Sequence, residues 1–184
     1  MSSNSPTARA SALVTEHLEE IRLAATQGPV IDLACGRGRH ALYLAKSGIP
    51  VLGLDRNGDH LRELEVSARG LTTKPTPVRC DLETGRGIPV RSGTCGVILV
   101  FRFLFRPLAS AIEDALRPGG ILLYETFTLA ERESGRGPRR KEFFLEPDEL
   151  PALFPGLDVI SYREGPDAGT PPTFTAQLLA RKPA

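Results

Sequence analysis

The sequence has almost no net charge: 23 Lys and Arg face 22 Asp and Glu across 184 residues, a balance of +1. That leaves no global basic field of the kind nucleic-acid binders use, which argues against a nucleic-acid partner. Cysteine is scarce. Cys35, Cys80 and Cys95 are odd in number, far apart and without a CxxC pair, so a disulfide framework, a zinc finger and any other metal site are not expected. No apolar run approaches the roughly 18–20 residues that a membrane span needs. Near the N-terminus, Glu16, Glu19 and Glu20 stand where a signal peptide would need an uncharged stretch. A reducing, cytoplasmic location is therefore the expectation. Repeats and low-complexity tracts are also missing. What remains, 41% apolar and 24% charged, is ordinary globular composition of a length that suits one domain.

Residues 1–6 are small and polar and are expected to fray. From Thr7 to Thr26, Ala10, Val14, Leu18, Ile21 and Ala25 recur at helical spacing, and Gly28-Pro29 ends the pattern. This N-terminal segment, 1–28, reads as an amphipathic helix that packs on a sheet or lids a ligand. Beyond it, apolar strands alternate with helices. Strands are expected at Val30–Leu33, Val51–Asp55, Pro77–Cys80, Gly96–Phe101 and Gly120–Phe127, with helices at Arg39–Ser47, Asn57–Arg69 and Leu108–Leu116. Strands apolar on both faces imply an α/β domain, 29–184, with a parallel sheet covered on both sides. After Pro147 come a short helical piece and two strands of stronger period-2 character, Leu157–Arg163 and Phe174–Arg181. These read as a C-terminal antiparallel hairpin on the sheet edge.

The segment VIDLACGRGR (30–39) is a strand, a tight glycine turn and a helix start. Gly36 and Gly38 let backbone approach a ligand, and the helix start offers free N–H groups. Asp55 follows Gly36 by 19 residues at the end of the next strand, where a carboxylate can accept both ribose hydroxyls. Together they predict a nucleoside site at the C-terminal edge of the sheet. Gly36-x-Gly38-x-x-Ala41 also satisfies the dinucleotide fingerprint. Asp32, however, would repel a pyrophosphate and attract an aminoacyl sulfonium, so the charge favours S-adenosylmethionine over NAD.

In VIDLACGRG (30–38), VLGLDRN (51–57), VRCDL (78–82), GVILVF (96–101) and LRPGGILLYETF (116–127) the chain resembles the class I S-adenosylmethionine-dependent methyltransferases. Within them it is most similar to the small tellurite-resistance-type branch. The resemblance implies a Rossmann-like doubly wound sheet and S-adenosylmethionine as cofactor. It also implies roles for particular residues. Asp32 and the Gly36–Gly38 loop would hold the methionine end, Asp55 the ribose, and Arg56 would lie along the adenine. Asp81 would accept the adenine amino group beside the Leu82 backbone, and Phe101 and Arg102 would touch cofactor and acceptor. Two positions depart from the family pattern: Ala34 replaces the first loop glycine, and Gly96 an Asp that commonly opens strand four. Only 14 residues separate Asp81 from Gly96, so the helix of that crossover is expected to be reduced or lost.

Methyl transfer from a sulfonium mainly requires alignment and exclusion of water. An acceptor that arrives ionised needs no base. The Asn/Asp-Pro-Pro-aromatic motif of amino-group nucleic-acid methyltransferases does not follow strand four. The expected acceptor wall is Phe101, Arg102, Phe103, Leu104, Phe105 and Arg106, with Tyr124 and Phe127. Cys35 and Cys80 read as small fillers, and His40 as a helix-start residue. RESGRGPRRK (132–141), with five basic residues, reads as a flexible loop, a lid over an anionic acceptor or an RNA contact. The expectation is a methyltransferase for a small acceptor, with soft thiol or metalloid nucleophiles as candidates, acting as a monomer or homodimer. RNA or protein methylation through the basic loop, and a non-catalytic cofactor-binding role, stay as alternatives.

Overall fold

The computed structural model describes residues 9–167 and 169–184. Residues 1–6 and the first two residues of the expected N-terminal helix lie outside the described residues. Seven strands form one sheet: β1 (Val30–Leu33), β2 (Val51–Asp55), β3 (Thr76–Arg79), β4 (Cys95–Phe101), β5 (Leu116–Phe127), β6 (Asp158–Pro166) and β7 (Phe174–Arg181). Their order is β3-β2-β1-β4-β5-β7-β6. The first five are parallel, whereas β7 runs antiparallel to both β5 and β6. This is the doubly wound, mostly parallel sheet with a C-terminal antiparallel hairpin that the alternating pattern implies.

The period-2 geometry of a strand sends successive β4 side chains to opposite faces. Ile98 and Val100 join one core with Ile31, Leu33, Ile112 and Phe154. Val97 and Leu99 join the other with Ile21, Leu44 and Leu64. Two cores explain why every β4 residue is buried. Helices α3 (Arg39–Lys46) and α4 (Gly58–Ser67) cover the second face, and α5 (Ala109–Ala115) the first. Asn57 caps α4 by accepting from the Asp59 N–H at 2.9 Å. No helix forms between β3 and β4, in line with the short spacing there.

The single N-terminal helix expected over residues 7–26 is instead two, α1 (Ala12–Glu16) and α2 (Leu18–Ala25), broken at His17. The halves are anchored at different places. Ser11 at the head of α1 donates to the Glu125 carboxylate on β5. The end of α2 lies directly on β4, where a Cβ at Gly96 would fall 2.3 Å from the Ala24 carbonyl oxygen. That contact gives the departure at Gly96 a physical reason, because no side chain fits there. Among the described residues, no helix is long and apolar enough to cross a membrane.

Candidate cofactor and acceptor site

A cleft of about 340 Å³ opens at the C-terminal edge of the sheet. It lies where the chain passes from β1 outward to β2 and β3 and then returns to β4, the switch point at which such sheets bind ligands. Ala34 and Gly36 line it from the loop after β1, Asp55 and Arg56 from the end of β2, Asp81 and Leu82 from the turn after β3, and Phe101, Arg102 and Phe103 from the end of β4. Four distant stretches of sequence thus meet as expected. Asn57, His60, Cys80 and Glu83 complete the lining. His60 was not anticipated, although its place in the first turn after the acidic strand end is a positional signal for it.

The glycine loop and Asp55 are locked together. Asp55 accepts the Gly36 N–H on one oxygen and the Asn57 N–H on the other, both at 2.8 Å. Gly36 and Gly38 have φ of +56° and +76°, a region glycine enters without penalty. Ala34 sits at +52°, so the departure there leaves a side chain in a left-handed conformation that disfavours it. Gly38 does not face the cleft. A Cβ on it would meet Leu64 Cδ1 at 2.4 Å, so it serves the packing of the loop on α4. At the other end of the cleft, Arg56 pairs with Glu83 at 2.5 Å across the rim, and Asp81 accepts the Glu83 N–H at 3.0 Å.

Asp32 lies behind the loop, 1% exposed, with Oδ2 lacking a hydrogen-bond partner among the described residues. Burial pushes its carboxyl up to about 7, against the pull of the Arg39 guanidinium and the Ala41 N–H. His40 is equally buried, and its ring centroid is 3.8 Å from that of Phe101. Burial, then the charges of Arg39 and Arg102, hold its imidazole well below the ordinary range. Cys35 fills the space beneath Gly53, and burial pushes its thiol up. It is therefore no thiolate nucleophile.

The expected acceptor wall is brought together only in part. Phe101, Arg102 and Phe103 line the cleft. Arg102, at φ +55°, donates its N–H to the Glu125 carbonyl at 2.8 Å and lies 5.6 Å from the Phe127 ring centroid. Tyr124 and Arg106 do not line it. Tyr124 is buried, and its hydroxyl donates to the Phe103 carbonyl at 2.9 Å, so it supports the wall from beneath. Arg106 spans Glu149, the Glu142 carbonyl and the Phe144 carbonyl. That is a clamp on the chain after the basic loop, and the bidentate pair holds the Glu149 carboxyl below its ordinary range. Phe105 packs on the core.

The basic loop is tethered at its middle and just beyond its C-terminal end. Arg136 bonds the buried Glu131 at 3.1 and 3.3 Å and also donates to the Pro172 carbonyl, while Phe144 is 1% exposed.

Residues 30–120 match the family described as a methyltransferase domain. No curated protein matches the chain. The fold is similar to that of a SAM-dependent methyltransferase from Methanosarcina mazei, with a TM-score of 0.72 at 16% identity over 96% of this chain and 99% of that one. It is also similar to TehB from Haemophilus influenzae, with a TM-score of 0.68 at 21% identity over 90% of this chain and 62% of that one. A third similar structure concerns the conversion of a disulfide bond into a thioacetal group during echinomycin biosynthesis, with a TM-score of 0.68 at 23% identity over 96% and 82%. Residues 30–120 are thus similar to a methyltransferase domain, and the fold is shared with SAM-dependent methyltransferases of known structure. The buried Asp32 Oδ2 behind the loop, without a hydrogen-bond partner among the described residues, suits a cationic group there.

Proposed function

We propose that this protein transfers the methyl group of S-adenosylmethionine to a small, anionic or readily ionised acceptor. The observation that carries the reading is the cleft itself. Its lining joins a glycine loop locked to Asp55 with the Arg56–Glu83 rim on one side and Phe101, Arg102 and Phe103 on the other. In this reading Asp55 holds the ribose, Arg56, Asp81 and Leu82 flank the adenine, and Ala34, Gly36 and Asp32 receive the methionine end. When bound, the cofactor supplies a methyl group already activated by positive sulfur.

The work left to the chain is alignment and the exclusion of water. Phe101, Arg102 and Phe103 together offer an aromatic, cationic wall for an acceptor that arrives with its lone pair free. Soft acceptors, thiolates and metalloid anions, meet that description without a base. His60 is 3.9 Å from Asp55, but it stands on the ribose side of the cleft, away from this wall. The pinned basic loop supports a structural use of Arg136 over an RNA contact.

Thermal unfolding in parallel with S-adenosylmethionine, S-adenosylhomocysteine and NAD tests the cofactor. A ligand at about 100 times its Kd adds roughly 2.7 kcal/mol of stability. Stabilisation by the adenosyl ligands alone is expected, and stabilisation by NAD alone refutes the reading. Release of S-adenosylhomocysteine is then measured with thiols, metalloid oxyanions, RNA and protein acceptors. Turnover with RNA or protein only would overturn the small-acceptor assignment.

A further inference from the structure

A line of side chains outside the cleft holds α1 over the sheet. Ser11, at the head of α1, donates its hydroxyl to the Glu125 carboxylate. Glu125 also accepts the Gln177 amide at 3.0 Å, and Gln177 in turn accepts the Arg163 Nε–H at 2.5 Å. Arg163 then reaches Glu16, at the tail of α1, at 3.9 Å. The two ends of this line differ in weight. Arg163 and Glu16 are both exposed, and such pairs contribute little. Glu125 is 6% exposed, so its carboxylate depends on the donors it finds within the protein.

Glu125 also adjoins the acceptor wall. It stands in register with Phe101 on β4 and with Gln177 on β7, and the Phe101 pair is the last that joins β4 to β5. One residue further, the Arg102 N–H closes the ladder on the Glu125 carbonyl at 2.8 Å. Arg102 is held there at φ +55°, a conformation that a side chain keeps only when its surroundings impose it. Bonds at the open end of a ladder are among the first to fray. Leu13 and Val14 of α1 are buried in the same core as Phe101. The helix ends at His17, and α2 beyond it is fixed against β4 at Gly96. A break between a five-residue helix and an anchored one lets the first move without the second.

We propose that Ser11 and Glu125 are positioning residues for the acceptor wall, and that the seating of α1 on the Glu125 carboxylate fixes the backbone of Arg102. Glu125 joins the two through its own two ends: the side chain takes the helix head, and the carbonyl takes the Arg102 N–H. The proposal rests on the reading of Arg102 as an acceptor-side residue and adds to it that the N-terminal helix governs where Arg102 stands.

Amide hydrogen exchange followed by NMR, in wild type, Ser11→Ala, Ser11→Asp and Ser11→Thr, reads this coupling without any acceptor. Ser11→Ala removes a hydrogen bond to a charged group and is expected to speed exchange at Thr15 and Arg102 together, by about tenfold, with Ile98 in the middle of β4 unchanged. Ser11 also caps α1 by accepting the Leu13 N–H at 3.2 Å, and Ser11→Asp separates the two duties. That variant keeps the cap but sets a second carboxylate against Glu125, so Arg102 should exchange at least as fast as in Ser11→Ala. Ser11→Thr keeps the hydroxyl and should return both amides to within about twofold of wild type. Faster exchange at Thr15 with Arg102 unchanged overturns the proposal, because α1 is then seated without consequence for the wall. Equal acceleration at Ile98 also overturns it, since the variants then weaken the whole fold. Binding of S-adenosylhomocysteine is titrated in parallel. A wild type that binds none loses the methyltransferase reading, and with it the acceptor role of Arg102. Uncoupled amides in a chain that does bind it overturn the positioning role alone.

Discussion

Asp55 joins the fold to the site, and its replacement by Ala separates the two contributions. The carboxylate accepts the Gly36 and Asn57 N–H groups at 2.8 Å each and is 9% exposed. Loss of a charge-assisted partner costs about 1.5–3 kcal/mol where water cannot replace it. The buried Gly36 N–H bears that cost in full, whereas Asn57 is exposed and recovers much of its share from solvent. The net loss is about 2–3 kcal/mol, or roughly 4–12 °C in Tm for a chain of this size. Asp55→Asn keeps one acceptor oxygen and should lose about half as much. Binding of S-adenosylhomocysteine to the folded variant should weaken further, by about tenfold to a hundredfold, because the ribose hydroxyls lose their acceptor. Scanning calorimetry with and without ligand, followed by titration below the variant's Tm, measures both effects. A variant that melts within about 1 °C of wild type would refute the structural role. Unchanged ligand affinity would refute the ribose role.

Three further outcomes are expected. Asp32 holds its proton up to about pH 7 in the folded chain, so native protein binds more protons than unfolded chain between about 4 and 7, and stability from this group falls as pH rises through that window. A cation bound beside it reverses the preference: cofactor binding should release a proton and tighten from about pH 5 to 7, and calorimetry in buffers of different ionisation enthalpy that detects no proton release would contradict this. Tyr124→Phe removes the hydroxyl that holds the Phe103 carbonyl; it should cost about 0.5–1.5 kcal/mol and raise the acceptor KM with little change in cofactor Kd, a split that steady-state kinetics can read. Arg136→Ala leaves the Glu131 carboxylate, 3% exposed, with the Phe174 N–H as its remaining donor among the described residues. Its Tm should fall, and an unchanged melt would return the basic stretch to a loop without structural duty.

Much of the frame was legible because its signals are local. Strand–helix alternation, the glycine turn and the Asn57 cap each span a few residues, and the spacing from Gly36 to Asp55 follows from one β–α–β unit. That Arg106 and Tyr124 do not line the cleft was not legible, because an Arg after a strand and a Tyr within one look alike whether they face a ligand or the protein. Arg106 meets Glu149 43 residues away, and Ser11 meets Glu125 114 residues away, distances over which a single sequence carries no pairing signal.

By itself, the sequence determined the doubly wound class, the place of a cleft at the switch point and most of the residues that line that cleft, since those depend on periodicity and on backbone freedom at glycine. The tertiary structure alone decided which charges are satisfied. Arg106, Arg136 and Glu125 hold the fold with theirs, while Asp32 Oδ2 and Arg39 Nη2 stay buried without a hydrogen-bond partner among the described residues. The physical reason is that a charge becomes a binding group through burial and a vacant partner, and both are properties of three-dimensional packing.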